Sequence, residues 1–184
     1  TSLVNGIGDY CSMIGGLIGE DYGYNTIRNS YALGDVVAPT CEDVGGLIGY
    51  SDSEVENSYA TGDVSGLTNV GGLVGSGWSG VRINNSYSTG SVIGSSNVGG
   101  FIGRGNKVKI NNSYSTGSVI GSKDIGGFIG LGSDLMVLTN SFWNTESSGM
   151  ATSPAATGKT TTEMLNITNY NNTSTEGLDT AWDI

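Results

Sequence analysis

The sequence predicts an all-β fold, a right-handed parallel β-solenoid (β-helix) of about five coils closed by a C-terminal cap. Three observations predict it. An aliphatic-Gly-Gly-(Leu/Phe)-(Ile/Val)-Gly block begins at Ile14, Val44, Val70, Val98 and Ile125, with spacings of 30, 26, 28 and 27 residues. A second block, Asn-Ser-aromatic, begins at Asn29, Asn57, Asn85, Asn112 and Asn140, with spacings of 28, 28, 27 and 28. Two independent markers therefore share one period, which is the signature of a repeat architecture. The third observation is glycine, 32 of 184 residues against 2 prolines, more than double the usual share of roughly 7%. Its concentration at repeated positions argues for turns on a schedule and against a flexible tract.

Each part of the repeat has its own signal. Glycines such as Gly15, Gly16 and Gly19, and Gly34, Gly62, Gly90 and Gly117 further on, are expected at tight turns with positive φ. Alternation leaves the direction of Leu17, Leu47, Leu73, Phe101 and Phe128 open, because it sends each opposite to the Ile or Val that follows. The segments from Ile27 to Tyr31, Val55 to Tyr59 and Ile83 to Tyr87 alternate with period two, as short strands do. Ile27 and its equivalents, together with the Asn column, are expected on the inner face, with Tyr31, Tyr59, Tyr87, Tyr114 and Phe142 stacked over the core edge. A unit of this size cannot bury its own apolar face, but stacked on like neighbours it can. Coils ~4.8 Å apart make a rod of roughly 24 Å, and parallel crossovers favour the right hand.

The periodicity ends at Asn144. Residues 1–144 are assigned to the repeats and 145–184 to a capping segment of the same domain. That tail is rich in Thr, Ser and Asn, contains Pro154, and carries one short helical signal over 161–165. Trp143 and Trp182 are expected to pack over the last coil, since an uncovered sheet edge invites end-to-end association. A mobile linker is the alternative for the tail. Thr1 begins in mid-pattern without an initiator Met, which fits either a mature fragment or an excised domain flanked by other domains of a longer chain.

Composition narrows the function. The chain has no His, which excludes a His-based hydrolase triad and a zinc site of the HExxH kind. The net charge of −10 argues against nucleic acid, whose phosphates need a basic footprint. No run of 18 apolar residues exists, so no helical membrane insertion is expected. Cys11 and Cys41 each lie four residues before the first glycine of their block, in one register, where later copies have Leu67, Ser95 and Ser122. In-register neighbours at ~4.8 Å fall within the disulfide window, and a disulfide would suit an oxidising compartment. Two buried free thiols are the alternative.

Blocks such as Val70-Gly-Gly-Leu-Val-Gly75 and Asn57-Ser-Tyr-Ala-Thr-Gly-Asp-Val64 resemble the GLUG repeat of large bacterial surface proteins, including IgA-peptidase-type and filamentous-haemagglutinin-like adhesins. The segment from Ser141 to Gly149 resembles the stretch that closes such arrays. The resemblance implies an extracellular, cell-surface or secreted location and a part in adhesion or in presenting another domain. It carries no catalytic residue over, so no enzyme and no cofactor are expected.

Candidate sites remain. Asp35 and Asp63 share a register and are weak Ca²⁺ ligand candidates, as are Glu20, Asp21, Asp52 and Glu54. A carboxylate pair at that separation also matches a retaining glycosidase, so a polysaccharide-active β-helix enzyme is the alternative to a non-catalytic adhesin segment, stalk or purely structural spacer. Tyr22, Tyr24 and Trp78 in the longer loops are the candidates for binding a host protein or glycan. Register pairs Arg28 with Glu56 and Glu54 with Arg82. Arg82 and Lys109 stack as like charges, with Arg104 and Lys107 nearby in sequence, either an anion-binding strip or a plain solvated face.

Overall fold

The structure, a computed structural model, describes residues 3–8, 11–23, 25–171 and 174. Parallel strands stack as a solenoid of about five coils of the right-handed type. Each coil passes through five facets. In the second coil these are a valine facet (Val36–Val37), a first glycine facet (Glu42–Gly45), a second glycine facet (Ile48–Ser51), an aliphatic facet (Glu54–Glu56) and a tyrosine facet (Tyr59–Ala60). Pairing from coil to coil is parallel and in register, with Val44 on Val70 and Tyr59 on Tyr87. The ladders expected from the repeat therefore form.

The glycines do something other than turn the chain. Among the described glycines only Gly8, Gly23, Gly80 and Gly149 have φ in the left-handed region, and none belongs to a repeated block. The repeated glycines instead allow backbones to touch. A Cβ on Gly49 would meet the Gly19 carbonyl and the backbone of Met13 and Ile14, and one on Gly75 would meet Asp43, Val44 and the Gly49 carbonyl. The two glycine facets thus pack backbone on backbone, offset by one coil. Gly62, Gly90 and Gly117 likewise lie against the carbonyl of the preceding copy. The turn expectation is corrected because the limit is space, not dihedral freedom.

This seam divides the core. On one side lie Leu47, Leu73, Phe101 and Phe128 with Ile48, Val74, Ile102 and Ile129 and the Val55, Ile83 and Ile110 column. On the other lie Val36, Val64, Val92 and Val119 against Val44, Val70 and Val98. Consecutive residues such as Leu47 and Ile48 are both fully buried, because the chain bends between the glycine facets and suspends alternation there. Leu17, in the first coil, is 52% exposed. Where the Ala60 column becomes serine, Ser88 and Ser115 hydroxyls donate to the Gly100 and Gly127 carbonyls at 2.7 and 2.9 Å.

Left-handed backbone falls on asparagine. Asn29, Asn57, Asn85, Asn112 and Asn140 have φ between 48° and 50°, a conformation that Asn tolerates better than most residues. The corner breaks the period-two alternation, so the Asn column turns outward and serine, not asparagine, goes inside. Asn29, Asn57 and Asn85 are exposed and Asn112 is half-buried, only Asn140 of the last coil being buried, while Ser58, Ser86 and Ser113 are buried. The amide ladder still forms, with Asn57, Asn85 and Asn112 each donating to the preceding Asn at 3.1–3.3 Å. Tyr31, Tyr59, Tyr87 and Tyr114 consequently stack on the outside, ring centroids 4.8–5.3 Å apart.

The corner also reverses the backbone. Before it, the Asn57 N–H donates to Asn84 of the following coil; after it, the Tyr59 N–H donates to Ser30 of the preceding one. The peptide between needs another acceptor, and serine supplies it. The Ser58 N–H donates to Ser86 Oγ at 3.2 Å, while the Ser86 hydroxyl donates to the Asn84 carbonyl at 2.8 Å.

Beyond Asn144 the chain leaves the repeat and lies over the last coil. Thr157–Lys159 pairs in parallel with residues 142–144. The Gly127 N–H donates to the Thr152 carbonyl, and Ser153 Oγ accepts from the Phe128 and Ile129 N–H groups. Trp143 is 5% exposed, its indole lying against Gly127 and donating to the Met150 carbonyl at 3.1 Å. Helix α1 (Thr145–Ser148) is capped by Asn144, and α2 (Thr161–Met164) by a Thr160–Glu163 capping box, where the sequence places its helical signal. In α3 (Thr168–Asn171), Tyr170 meets the Phe142 ring edge-on at 5.7 Å. Trp182 lies outside the described residues.

Two expectations follow. Ser86→Ala leaves the Ser58 N–H buried without its acceptor, so chemical denaturation should show a loss of about 1–3 kcal/mol. Hydrogen bonds from Thr160 to Glu163 and from Thr161 to Glu146 hold both carboxyls below the usual range. A depressed folded pKa stabilises above the unfolded value and the effect is lost as pH falls through the folded one. Amide-exchange protection over 157–164 should therefore drop below about pH 4 before protection over 68–75 does.

Candidate functional site: the outer aromatic face

Because the second glycine facet is locked onto the first, its outward residues form a column along the rod. Register places Glu20, Tyr50, Ser76, Arg104 and Leu131 in line. Tyr22, just past the facet in the first coil, packs its ring 5.0 Å from Tyr50 at 49°. It is 54% exposed. Its hydroxyl pKa is pushed up to about 12, first by the hydrogen bond with Glu20. Trp78 is half-buried, and the Arg104 guanidinium lies 5.0 Å over its ring, a cation–π contact. Tyr24 lies outside the described residues.

A second polar ladder runs along the first glycine facet. Asp43, Asn69 and Asn97 have φ of 51–54°, and their side chains bond in series. Asn69 donates to Asp43 at 2.7 Å and Asn97 donates to Asn69 at 2.6 Å. Burial raises the Asp43 pKa, with the Asn69 hydrogen bond opposing it. The outer face thus joins two aromatic groups, an arginine and a chain of amides. Aromatic rings and amides in one place suit a sugar or a polar peptide. The ladder is invisible to simple alternation, but the Asp43/Asn69/Asn97 register carries its signal.

The carboxylate candidates are placed differently. Asp35 Oδ1 accepts the Asp63 N–H at 2.9 Å, and Asp63 Oδ1 accepts the Ser91 N–H at 2.8 Å. These two side chains are exposed pins between coils. Asp21 Oδ1 accepts from the Asn25 amide, and Asp52 Oδ1 accepts the Gly23 N–H, both at 3.1 Å. Among the described residues no three His, Cys, Asp or Glu side chains are grouped to hold a metal ion.

Cys11 and Cys41 form a disulfide with Cα atoms 4.6 Å apart, tying the first coil to the second. Arg28 pairs with Glu56 at 2.8 Å. Glu54 and Arg82 share a register but form no ion pair. Arg104 belongs to the Trp78 contact, so it is not part of a strip with Arg82 and Lys109.

Parallel strands stacked in register coil upon coil define a repeat solenoid. A family model, the GLUG motif, matches residues 40–65, which span the second-coil glycine block and the Asn-Ser-Tyr block that the other copies repeat in register. The chain thus carries a GLUG motif over residues 40–65, a match that supports a GLUG-repeat domain. No curated protein and no solved structure matches it. The disulfide fits an oxidising environment. Among the described residues no helix is long and apolar enough to cross a membrane.

The bridge closes a loop of 30 residues, worth about 3.6 kcal/mol in the chain-entropy model. Reduction, or Cys11→Ser with Cys41→Ser, should raise amide exchange over 12–21 while exchange over 96–105 changes little.

Proposed function

We propose that the chain is a non-catalytic repeat module of a larger bacterial cell-surface protein, an adhesive segment that binds a host glycan or extracellular protein through the face around Tyr22, Tyr50 and Trp78. The observation that carries this is the pair of aromatic contacts, Tyr22–Tyr50 and Trp78–Arg104, held outside a rigid, disulfide-tied rod. A rod whose outward residues recur coil by coil offers an extended binding surface, as other solenoids do. The GLUG motif supports a surface-protein setting. The non-catalytic part is supported by Asp35 and Asp63, whose carboxylates are engaged in backbone hydrogen bonds between coils.

The test is a glycan array together with binding to immobilised extracellular-matrix proteins. The native chain should bind at least one class, and Tyr22→Ala with Trp78→Ala should lower that binding by roughly tenfold or more, as the loss of two aromatic anchors does. No binding on either platform would reduce the module to a spacer.

A further inference from the structure

We propose a separate site for a single acidic sugar residue, bearing a carboxylate or a sulfate ester, in the groove that Arg82 and Lys109 overlook on the aliphatic facet. It rests on the proposal that this module binds glycans, but it uses none of the aromatic residues. The groove has a volume of about 300 Å³ and is lined by Arg82, Lys109, Asn84, Asn111, Thr139 and Val137. That is the lower end of the range for ligand pockets, large enough for one ring and not for a long chain.

Charge points to the ligand. Arg82 stacks directly on Lys109, and like charges opposed across strands are destabilising. The protein carries a net charge of −10, yet no acidic side chain lines this groove. Glu54, the register neighbour of Arg82, stays outside ion-pair distance, whereas Arg28 one coil away takes Glu56 at 2.8 Å. Acids are therefore plentiful on the molecule, yet among the described residues neither Arg82 nor Lys109 forms an ion pair with one. An arginine fork beside a lysine matches a carboxylate or sulfate. A long polyanion is disfavoured by the acidic coils above, where residues 1–66 hold 10 acidic and 1 basic side chain.

Amides point to a sugar. Asn111 Oδ1 already accepts from Thr139 Oγ1 at 2.7 Å and from Asn140 at 3.3 Å. Its amide group also carries two N–H donors, and the residue lines the groove. Asn84 lies beside it in register with both donor and acceptor capacity, suited to ring hydroxyls. Val137 gives an apolar edge for the ring carbons.

The experiment is saturation-transfer NMR and calorimetry on the full chain at low ionic strength. The probes are glucuronic acid, galactose 6-sulfate, their neutral parents glucose and galactose, and inorganic sulfate. The variants are Arg82→Gln with Lys109→Gln, and Lys123→Gln as a charge-loss control on another facet; circular dichroism checks that all fold. Binding of either acidic sugar at least tenfold tighter than its neutral parent, weakened roughly tenfold or more in the double variant and unchanged in Lys123→Gln, supports the site and says which anion it takes. Equal affinity for acidic and neutral sugars, unchanged affinity in the double variant, or inorganic sulfate binding as tightly as galactose 6-sulfate would overturn it. Acidic-sugar binding that is kept in the Arg82→Gln, Lys109→Gln double variant and lost in a further variant, Trp78→Ala, would overturn this site and leave the aromatic-face proposal standing.

Discussion

The contact on which the rest depends is the backbone-to-backbone seam between the two glycine facets. Side-chain packing normally keeps β layers about 10 Å apart. Here Gly45, Gly49, Gly71, Gly75, Gly99 and Gly103 remove the side chains on the facing surfaces, and a Cβ at any of them would strike backbone atoms. The seam splits the core into two clusters. It also helps set the outer face, where Tyr50 lies in register with Glu20 and Ser76 beside the seam.

The second determinant is the asparagine corner. A left-handed residue reverses the direction of the peptide groups, and the coil-to-coil hydrogen bonds reverse with it. Buried serine supplies the acceptor that the backbone lacks at that step. Tyrosine is thereby turned outside and isoleucine inside, and the next coil must repeat both. Surface function follows from this repetition. Each outward column is a row of chemically related groups, and a site arises where a column changes character, as when Glu54 gives way to Arg82 and Lys109.

Period, coil number and in-register ladders were legible because each rests on residue identity at fixed spacing. The disulfide was legible for the same reason, since Cys11 and Cys41 share a position in the repeat. Facing directions were harder. Alternation assumes an unbroken strand, and both Asn29 and the bend before Ile48 interrupt it. Alternation therefore places the Asn column inside and leaves Leu47 undecided. The glycines misled for a related reason, since turn and close approach both demand glycine and only the neighbouring atoms distinguish them. Among the candidate site residues, Tyr22 and Trp78 do lie on the outer face, but the partners that define their surroundings, Tyr50 and Arg104, come from neighbouring coils. Charge order along the sequence showed Arg82 over Lys109 and missed that Arg104 had gone to Trp78.

The most direct test of the seam is the equilibrium unfolding of Gly75→Ala beside the native chain. One added methyl has only backbone to meet, at Asp43, Val44 and Gly49, which places it at the upper end of the about 1–3 kcal/mol that overpacking costs. The two-facet seam predicts a large drop in midpoint with loss of cooperativity. A Gly75→Ala protein that unfolds at the native midpoint with the native slope would contradict it.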